Sequence, residues 1–221
     1  ALIIADEDEA KRQLKILMRG FVELREKSKI TLSRINRVSM DQYSVLLDGL
    51  LSTPSGGLLP VLLSVATFSS IKAVYDLPWE IDFQGINVAD AASGVGGDIN
   101  IKRNGVPIIS VEVTERPIDK SRVRSTFTTK IAPHALDDYL FFYSRAEPED
   151  AARDAAKAYF AQGHEITFVS LKDWIMTTLT TLGSRGRAVF TDEIIKLLDL
   201  PDTPAAIKVA WNERVRSLVG V

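Results

Sequence analysis

The stretch 96-GGDINIKRNGVPIISVEVTERPIDKSRV-123 decides how this chain is read. Two runs of alternating apolar residues flank a turn-forming "RNG", which is the pattern of a β-hairpin. Each run carries an acid, Asp98 and Glu112. Successive side chains of a strand point to opposite faces, so Asp98, Asn100 and Lys102 share one face, and Glu112 and Thr114 share one face of the returning strand. Pairing about the turn sets Asp98 and Glu112 close to opposite one another. Carboxylates that near repel and raise each other's pKa unless a cation lies between them, and a divalent metal is such a cation. The plainer alternative is a pair of surface acids matched to Lys102, Arg103 and Arg116. Against it, Glu112 interrupts "IISVEV", an apolar run suited to the middle of a sheet, and Asp98 follows a double glycine.

Outward from the hairpin, "STPSGGLLP" is a loop that leads into a helix with Pro60 at its first position, running to about Tyr75 and apolar on most sides. "WEIDFQGI" alternates as a strand, and "NVADAASGVGG" is a loop of small residues. After "ERPID" the pattern gives a helix from Lys120 to Ile131, a strand "DYLFFYS", an alanine-rich helix from Glu149 to Ala161 and a strand "EITFVS". Helix, three strands, helix, strand, helix, strand is an α/β order with a mixed central sheet flanked by helices. Before it, Leu14, Leu17, Met18, Phe21 and Leu24 mark one buried face of a helix over Asp6 to about Lys29, and Ser39 to Leu51 is a second helical region. Three helical segments close the chain: Leu171–Leu182, Thr191–Leu198 capped by Thr191, and Pro204–Leu218. The expected division is an N-terminal helical segment 1–54, a core 55–183 and a C-terminal helical segment 184–221.

The 221 residues suffice for a sizeable core, and 46% apolar with 25% charged residues is ordinary for a globular protein. The formal charge of -2 neither favours nor excludes nucleic acid, since binding needs only a local basic face. With no cysteine and two histidines, His134 and His164, zinc sites and thiol nucleophiles are excluded, so any metal takes oxygen ligands, as Mg²⁺ does. "GGLLPVLLSVATF" is broken by a proline and too short to span a bilayer. No signal peptide is visible, which points to an intracellular, cytoplasmic protein, and the opening "ALIIADEDEA" without methionine suggests processing or a fragment.

"GGDINI…IISVEVTE" resembles the catalytic hairpin of the PD-(D/E)xK nuclease superfamily. More narrowly, "SGGLLPVLLSVATF", "QGINVADAASGVGGDI" and "EVTERPIDKSRVRSTFTTKIAPHALDDYLFF" resemble the SacI-like type II restriction endonucleases, over about Ser55 to Phe142. The resemblance implies a restriction-endonuclease-like core. It also implies Mg²⁺ held by Asp98, Glu112 and the main-chain carbonyl of Val113, activating a water for in-line attack on a phosphodiester of double-stranded DNA. One position departs from the superfamily: Thr114 stands where the lysine of E-x-K is expected. The substitute cation is ranked Lys130, then Lys102, then Lys120. Thr114 could instead act through water on the metal, and Glu80 or Asp82 could add an acid.

Arg116, Lys120, Arg122, Arg124 and Lys130, interspersed with serines and threonines, suit DNA phosphates, although a solvated helix face has the same pattern. Arg185 and Arg187 on "GSRGRAVF" are candidate groove readers or part of a plain inter-helix loop. Trp79, Trp174 and Trp211 read as core. Restriction enzymes of this kind imply a homodimer on a palindrome, with the N-terminal helices as the guessed interface, and a cognate DNA methyltransferase as a functional partner. The rival readings are a catalytically inactive DNA-binding module of the same fold and a general α/β interaction domain.

Overall fold

The structure is a computed structural model that describes residues 7–27, 30–35, 37–83 and 96–219. Strands β1 (Glu80–Phe83), β2 (Ile99–Arg103) and β3 (Val106–Thr114) form an antiparallel meander. Asn104 and Gly105 make the tight turn with φ of 54° and 74°, the double left-handed geometry that follows strand twist. Ile99 pairs with Val111 and Asn100 with Ser110, and a bulge follows Ile101. Strands β4 (Asp138–Tyr143) and β5 (Glu165–Ser170) then add in parallel, giving a five-stranded mixed sheet in the order β1-β2-β3-β4-β5 with β3 at its centre. The α/β architecture agrees with the order of elements in the sequence. The end of "WEIDFQGI", from 84, and the small-residue stretch "NVADAASGVGG" as far as 95 lie outside the described residues.

Two compact units divide the chain, Ala1–Thr31 and Leu32–Val221. The first carries α1 (Glu7–Lys27), whose Leu14, Leu17 and Met18, expected on a buried face, are exposed, as is Ile16; the side chains of Phe21 and Leu24, expected on the same face, lie outside the described ones. The second holds the sheet with α2 (Met40–Ser52), α3 (Leu58–Tyr75), α4 (Lys120–Thr126), α5 (Asp150–Phe160), α6 (Leu171–Asp199) and α7 (Ala205–Val219). The expected boundaries at 54 and 183 fall inside this unit, because α2 packs on α3, α6 and α7.

Alternation splits the sheet into two faces. Ile99, Ile101, Val111 and Phe142 point into a core shared with α2, α3, α6 and α7. There Phe142 and Phe68 lie 4.6 and 4.8 Å from the Trp174 ring. Helix α3 starts at Leu58, so Pro60 is its third residue, still among the N–H positions that lack a helical partner. By length and composition α3 is able to cross a membrane, contrary to the expectation from its proline, yet 56% of it is buried within the protein. Its buried Ser64, Thr67 and Ser70 hydroxyls donate to carbonyls four residues back, each at 2.8 Å, so no polar atom there goes unpaired. The opposite face carries Tyr139, Phe141 and Ile166 under Val123, Ile131 and the small Ala152, Ala155 and Ala156 of α5.

Past the sheet, α6 corrects an expectation. A single non-helical residue, Gly183 (φ 64°, ψ -158°), breaks the run, and the helix resumes at once. One glycine in the left-handed region makes the whole break, so "SRGRAVF" after it is helical rather than a loop. Thr191 is therefore interior and caps nothing: its hydroxyl lies 3.0 Å from the Arg187 carbonyl and 2.9 Å from the Tyr43 hydroxyl.

Candidate active site

The double glycine ahead of Asp98 is a packing device. A Cβ on Gly97 would lie 2.8 Å from the Val111 carbonyl oxygen, and one on Gly96 only 2.5 Å from Lys130 Cβ. Without side chains, the segment entering β2 presses on β3 and on the turn that bears Lys130. Asp98 then accepts the Val113 N–H through Oδ2 at 2.8 Å, which holds it beside Glu112 just beyond the Ile99–Val111 pair.

Glu112 lies on β3 with its side chain on the opposite face from Val111, 6% exposed. Its Oε1 accepts Arg122 Nε at 3.1 Å and Nη2 at 2.6 Å. Its Oε2 accepts Lys130 Nζ at 3.2 Å and lies 3.2 Å from the Tyr139 hydroxyl and 3.5 Å from that of Thr126. The Tyr139 hydroxyl also reaches the Gly96 carbonyl at 2.7 Å, so it ties the glycine segment to the carboxylate.

Local structure aims the two cations. Asp119 caps α4 by accepting the Arg122 N–H at 2.7 Å, which sets Arg122 in the first turn facing β3. After Thr126 the chain widens into one π-helical turn, Phe127–Ile131, an insertion that shifts which residues face the sheet. Lys130 sits in that turn and points at Glu112.

Burial pushes the Asp98 carboxyl up, and the Glu112 charge adds to this against the pull of the Val113 N–H, Lys130 and Arg122; it ends above the usual carboxylate range. Burial acts on Glu112 too, but Lys130 and Arg122 outweigh it and hold that group below the usual range. Burial and the Glu112 charge drive Tyr139 far above an ordinary phenol, so it remains a hydrogen-bond donor.

The remaining sequence candidates are placed unevenly. Thr114 shares the Glu112 face, but its hydroxyl serves the Arg116 main chain, accepting the N–H at 3.0 Å. Lys102, on the correct face by simple alternation, is paired with Asp82 of β1, so neither joins the cluster. Arg116, Lys120 and Arg124 are exposed. Arg116, Arg122 and Lys130, with Ser121, Ser125 and Thr129, surround an open hollow of about 470 Å³ that Glu112 also lines. Arg185 and Arg187 are not on a reading loop; they donate to the Ala73 and Leu179 carbonyls at 3.5 and 3.3 Å and brace helices. Sequence reasoning missed Tyr139 and took Thr126 only as one of the hydroxyls suited to phosphate, not as a partner of Glu112. The usable signal was that Tyr139 shares a face with Phe141, and a buried tyrosine hydroxyl needs a partner.

Among the described residues no cluster of three or more acidic or histidine side chains is assembled. Two carboxylates suit Mg²⁺ nonetheless, because that ion keeps most of its waters and takes one or two carboxylates plus substrate phosphate. Asp98, Glu112 and the Val113 carbonyl are oxygen donors of that kind, and the close pair of acids is what a cation would relieve.

Residues 37–144 match the family model of the SacI restriction endonuclease C-terminal domain, a span that runs from α2 through β4 and contains Asp98, Glu112, Arg122, Lys130 and Tyr139. No curated protein matches the chain. Over residues 37–144, just under half of its 221 residues, the chain is therefore similar to the C-terminal domain of the SacI restriction endonuclease.

Proposed function

We propose that the protein is a type II restriction endonuclease that uses Mg²⁺ to hydrolyse phosphodiester bonds at a specific sequence of double-stranded DNA. Similarity to this family over residues 37–144 supports nuclease function and DNA binding as a class. The observation that supports the finer reading is the Glu112 cluster: a buried carboxylate beside Asp98, met by Lys130, at a hollow lined by arginines and hydroxyls. Bound by Asp98, Glu112 and the Val113 carbonyl, Mg²⁺ would supply an activated water and charge neutralisation at the phosphate.

The protein's own groups do the rest. Lys130 provides the positive charge that Thr114 cannot, stabilising charge that builds on the phosphate. Tyr139 and Thr126 hold one edge of Glu112 in place. Arg116, Lys120, Arg122 and Arg124 take backbone phosphates, which fix register without reading bases. A homodimer would match a palindromic site, and the exposed apolar row of α1 suits such an interface. A cognate methyltransferase in the same cytoplasm would protect host DNA.

The runner-up reading, DNA binding without cleavage, draws on one observation: protein cations already occupy both oxygens of Glu112. Incubating plasmid DNA with the protein in Mg²⁺ and in EDTA separates the two. Discrete fragments in Mg²⁺ alone support cleavage; a gel shift with intact plasmid supports the runner-up. Asp98→Ala and Glu112→Ala are each expected to lose at least about 100-fold in cleavage while still shifting DNA, and Lys130→Ala to fall similarly. Wild-type cutting by either acid variant would refute the metal assignment.

A further inference from the structure

We propose that Arg122 occupies the oxygen of Glu112 that a divalent cation would take, and leaves it for a DNA phosphate when that cation binds. This rests on the metal reading above and assigns Arg122 two positions where the sequence suggested only a phosphate contact.

The two edges of the Glu112 carboxylate are held differently. Oε2 is fixed from three directions, by Lys130, Tyr139 and Thr126, two of which are buried. At Oε1 the described contacts are those of Arg122. Both Nε and Nη2 converge on that one oxygen, rather than forking across the pair as the strongest arginine–carboxylate contacts do. The guanidinium thus meets the carboxylate edge-on, and the Arg122 side chain is 26% exposed against 8% for Glu112.

The arm is free to move while its base stays fixed. The Arg122 N–H is held by Asp119, and the next residue, Val123, is fully buried. A swing about the side-chain torsions alone carries the guanidinium into the hollow, among Arg116, Ser121, Ser125 and Thr129. Apart from Glu112 itself, the one acid on that lining is Asp119, already engaged as the helix cap.

Charge balance gives the swing its direction. Two carboxylates, Asp98 and Glu112, face two cations, Arg122 and Lys130, and the corner is neutral. A divalent ion adds two positive charges, which favours the departure of one of the two protein cations. Lys130 shares its oxygen with Tyr139 and Thr126, so its departure would not free Oε2, whereas the departure of Arg122 alone frees Oε1; Arg122 is therefore the one to leave. A phosphate in the hollow then offers it a new anionic partner.

Two measurements on Arg122→Gln test this, with Ca²⁺ as the probe so that DNA is not cut. Calorimetric titration of the DNA-free protein is expected to show Ca²⁺ binding about tenfold tighter than wild type, the scale of one charge-assisted contact removed. The salt slope of duplex DNA binding is expected to steepen by about one phosphate contact on going from EDTA to Ca²⁺ in wild type, and to stay unchanged in Arg122→Gln. Arg122→Lys, which keeps the charge but not the two converging donors, covers the case of a misfolded glutamine variant; its Ca²⁺ affinity should fall between the two. Equal or weaker Ca²⁺ binding in the variants, or identical salt slopes, would overturn the proposal and leave the nuclease reading standing. Ca²⁺ binding by none of the proteins would sink the metal site and this proposal together.

Discussion

Val111 and Glu112 are neighbours on β3, yet they face two differently built halves of the protein. Val111 looks into a layer of α2, α3, α6 and α7 where the side chains are nearly all apolar, the hydroxyls of α3 are satisfied within the helix and that of Tyr43 meets Thr191 of α6. Glu112 looks into a layer where a carboxylate, a phenol, a lysine and an arginine meet at the sheet. The first face supplies stability by burial. The second gives up apolar contact at the centre of the sheet to hold charges that are costly to bury and easily rearranged.

The largest test of this division lies on the Val111 side. Phe142 is fully buried and stacks near Phe68 and Trp174. Phe142→Ala is expected to cost about 3–5 kcal/mol in urea unfolding, with cleavage per folded molecule unchanged. Glu112→Gln should cost less than half as much, since Arg122 and Lys130 are partly open to water and need not remain stranded. A glutamine variant less stable than Phe142→Ala would mean that the charged face is also structural.

A smaller effect is expected where the two functions meet. Gly96→Ala places a methyl 2.9 Å from the Lys130 Cα, a main-chain atom that must move. Overpacking there is expected to cost about 1–3 kcal/mol and, by pushing Lys130 from Glu112, to lower cleavage at temperatures where the variant is fully folded. Gly49→Ala is the control, because its methyl meets only the flexible end of Arg214. Full cleavage by folded Gly96→Ala would show that the Lys130 position is not critical.

The contrast between faces was largely legible in the sequence, and the contents of the charged face only in part. Alternation in "VPIISVEVT" put Glu112 on its own face, and the "RNG" turn set a register that brings Asp98 next to it. Alternation failed at Lys102, because a bulge after Ile101 ends the regular ladder and Asp82 waits on β1. Lys130 was one candidate among three, since nothing in the sequence marks the π-helical turn that aims it. Arg122 read as a plain phosphate contact because its ion pair depends on the angle at which the Asp119 cap launches α4. Tyr139 was hidden inside "DYLFFY", where its ring behaves as a core residue and only its hydroxyl matters. Gly183 misled in the other direction: a glycine that suggested a loop turned out to be a one-residue break.

The smallest expected effect concerns the cost of keeping two acids together, and it depends on pH. The Glu112 pKa is held down by Lys130 and Arg122. Its contribution to stability is therefore present above the usual glutamate pKa of about 4.3 and is lost as pH falls through the lower folded value. Asp98 is pushed up by burial and by Glu112, so it acts in the opposite sense. Its ionisation costs nothing below the usual aspartate pKa of about 3.9, and the cost develops as pH rises through the folded value. Asp98→Asn removes that charge while its side-chain oxygen can still accept the Val113 N–H. In EDTA the variant is expected to be more stable than wild type at pH 7, by on the order of 1 kcal/mol, with the advantage fading as pH approaches about 4. Adding Ca²⁺ at pH 7 should close the gap from the wild-type side, because the ion relieves the repulsion that the substitution removes. An asparagine variant that is less stable at pH 7 than at pH 4, relative to wild type, would show that the charge of Asp98 supports the fold rather than the site.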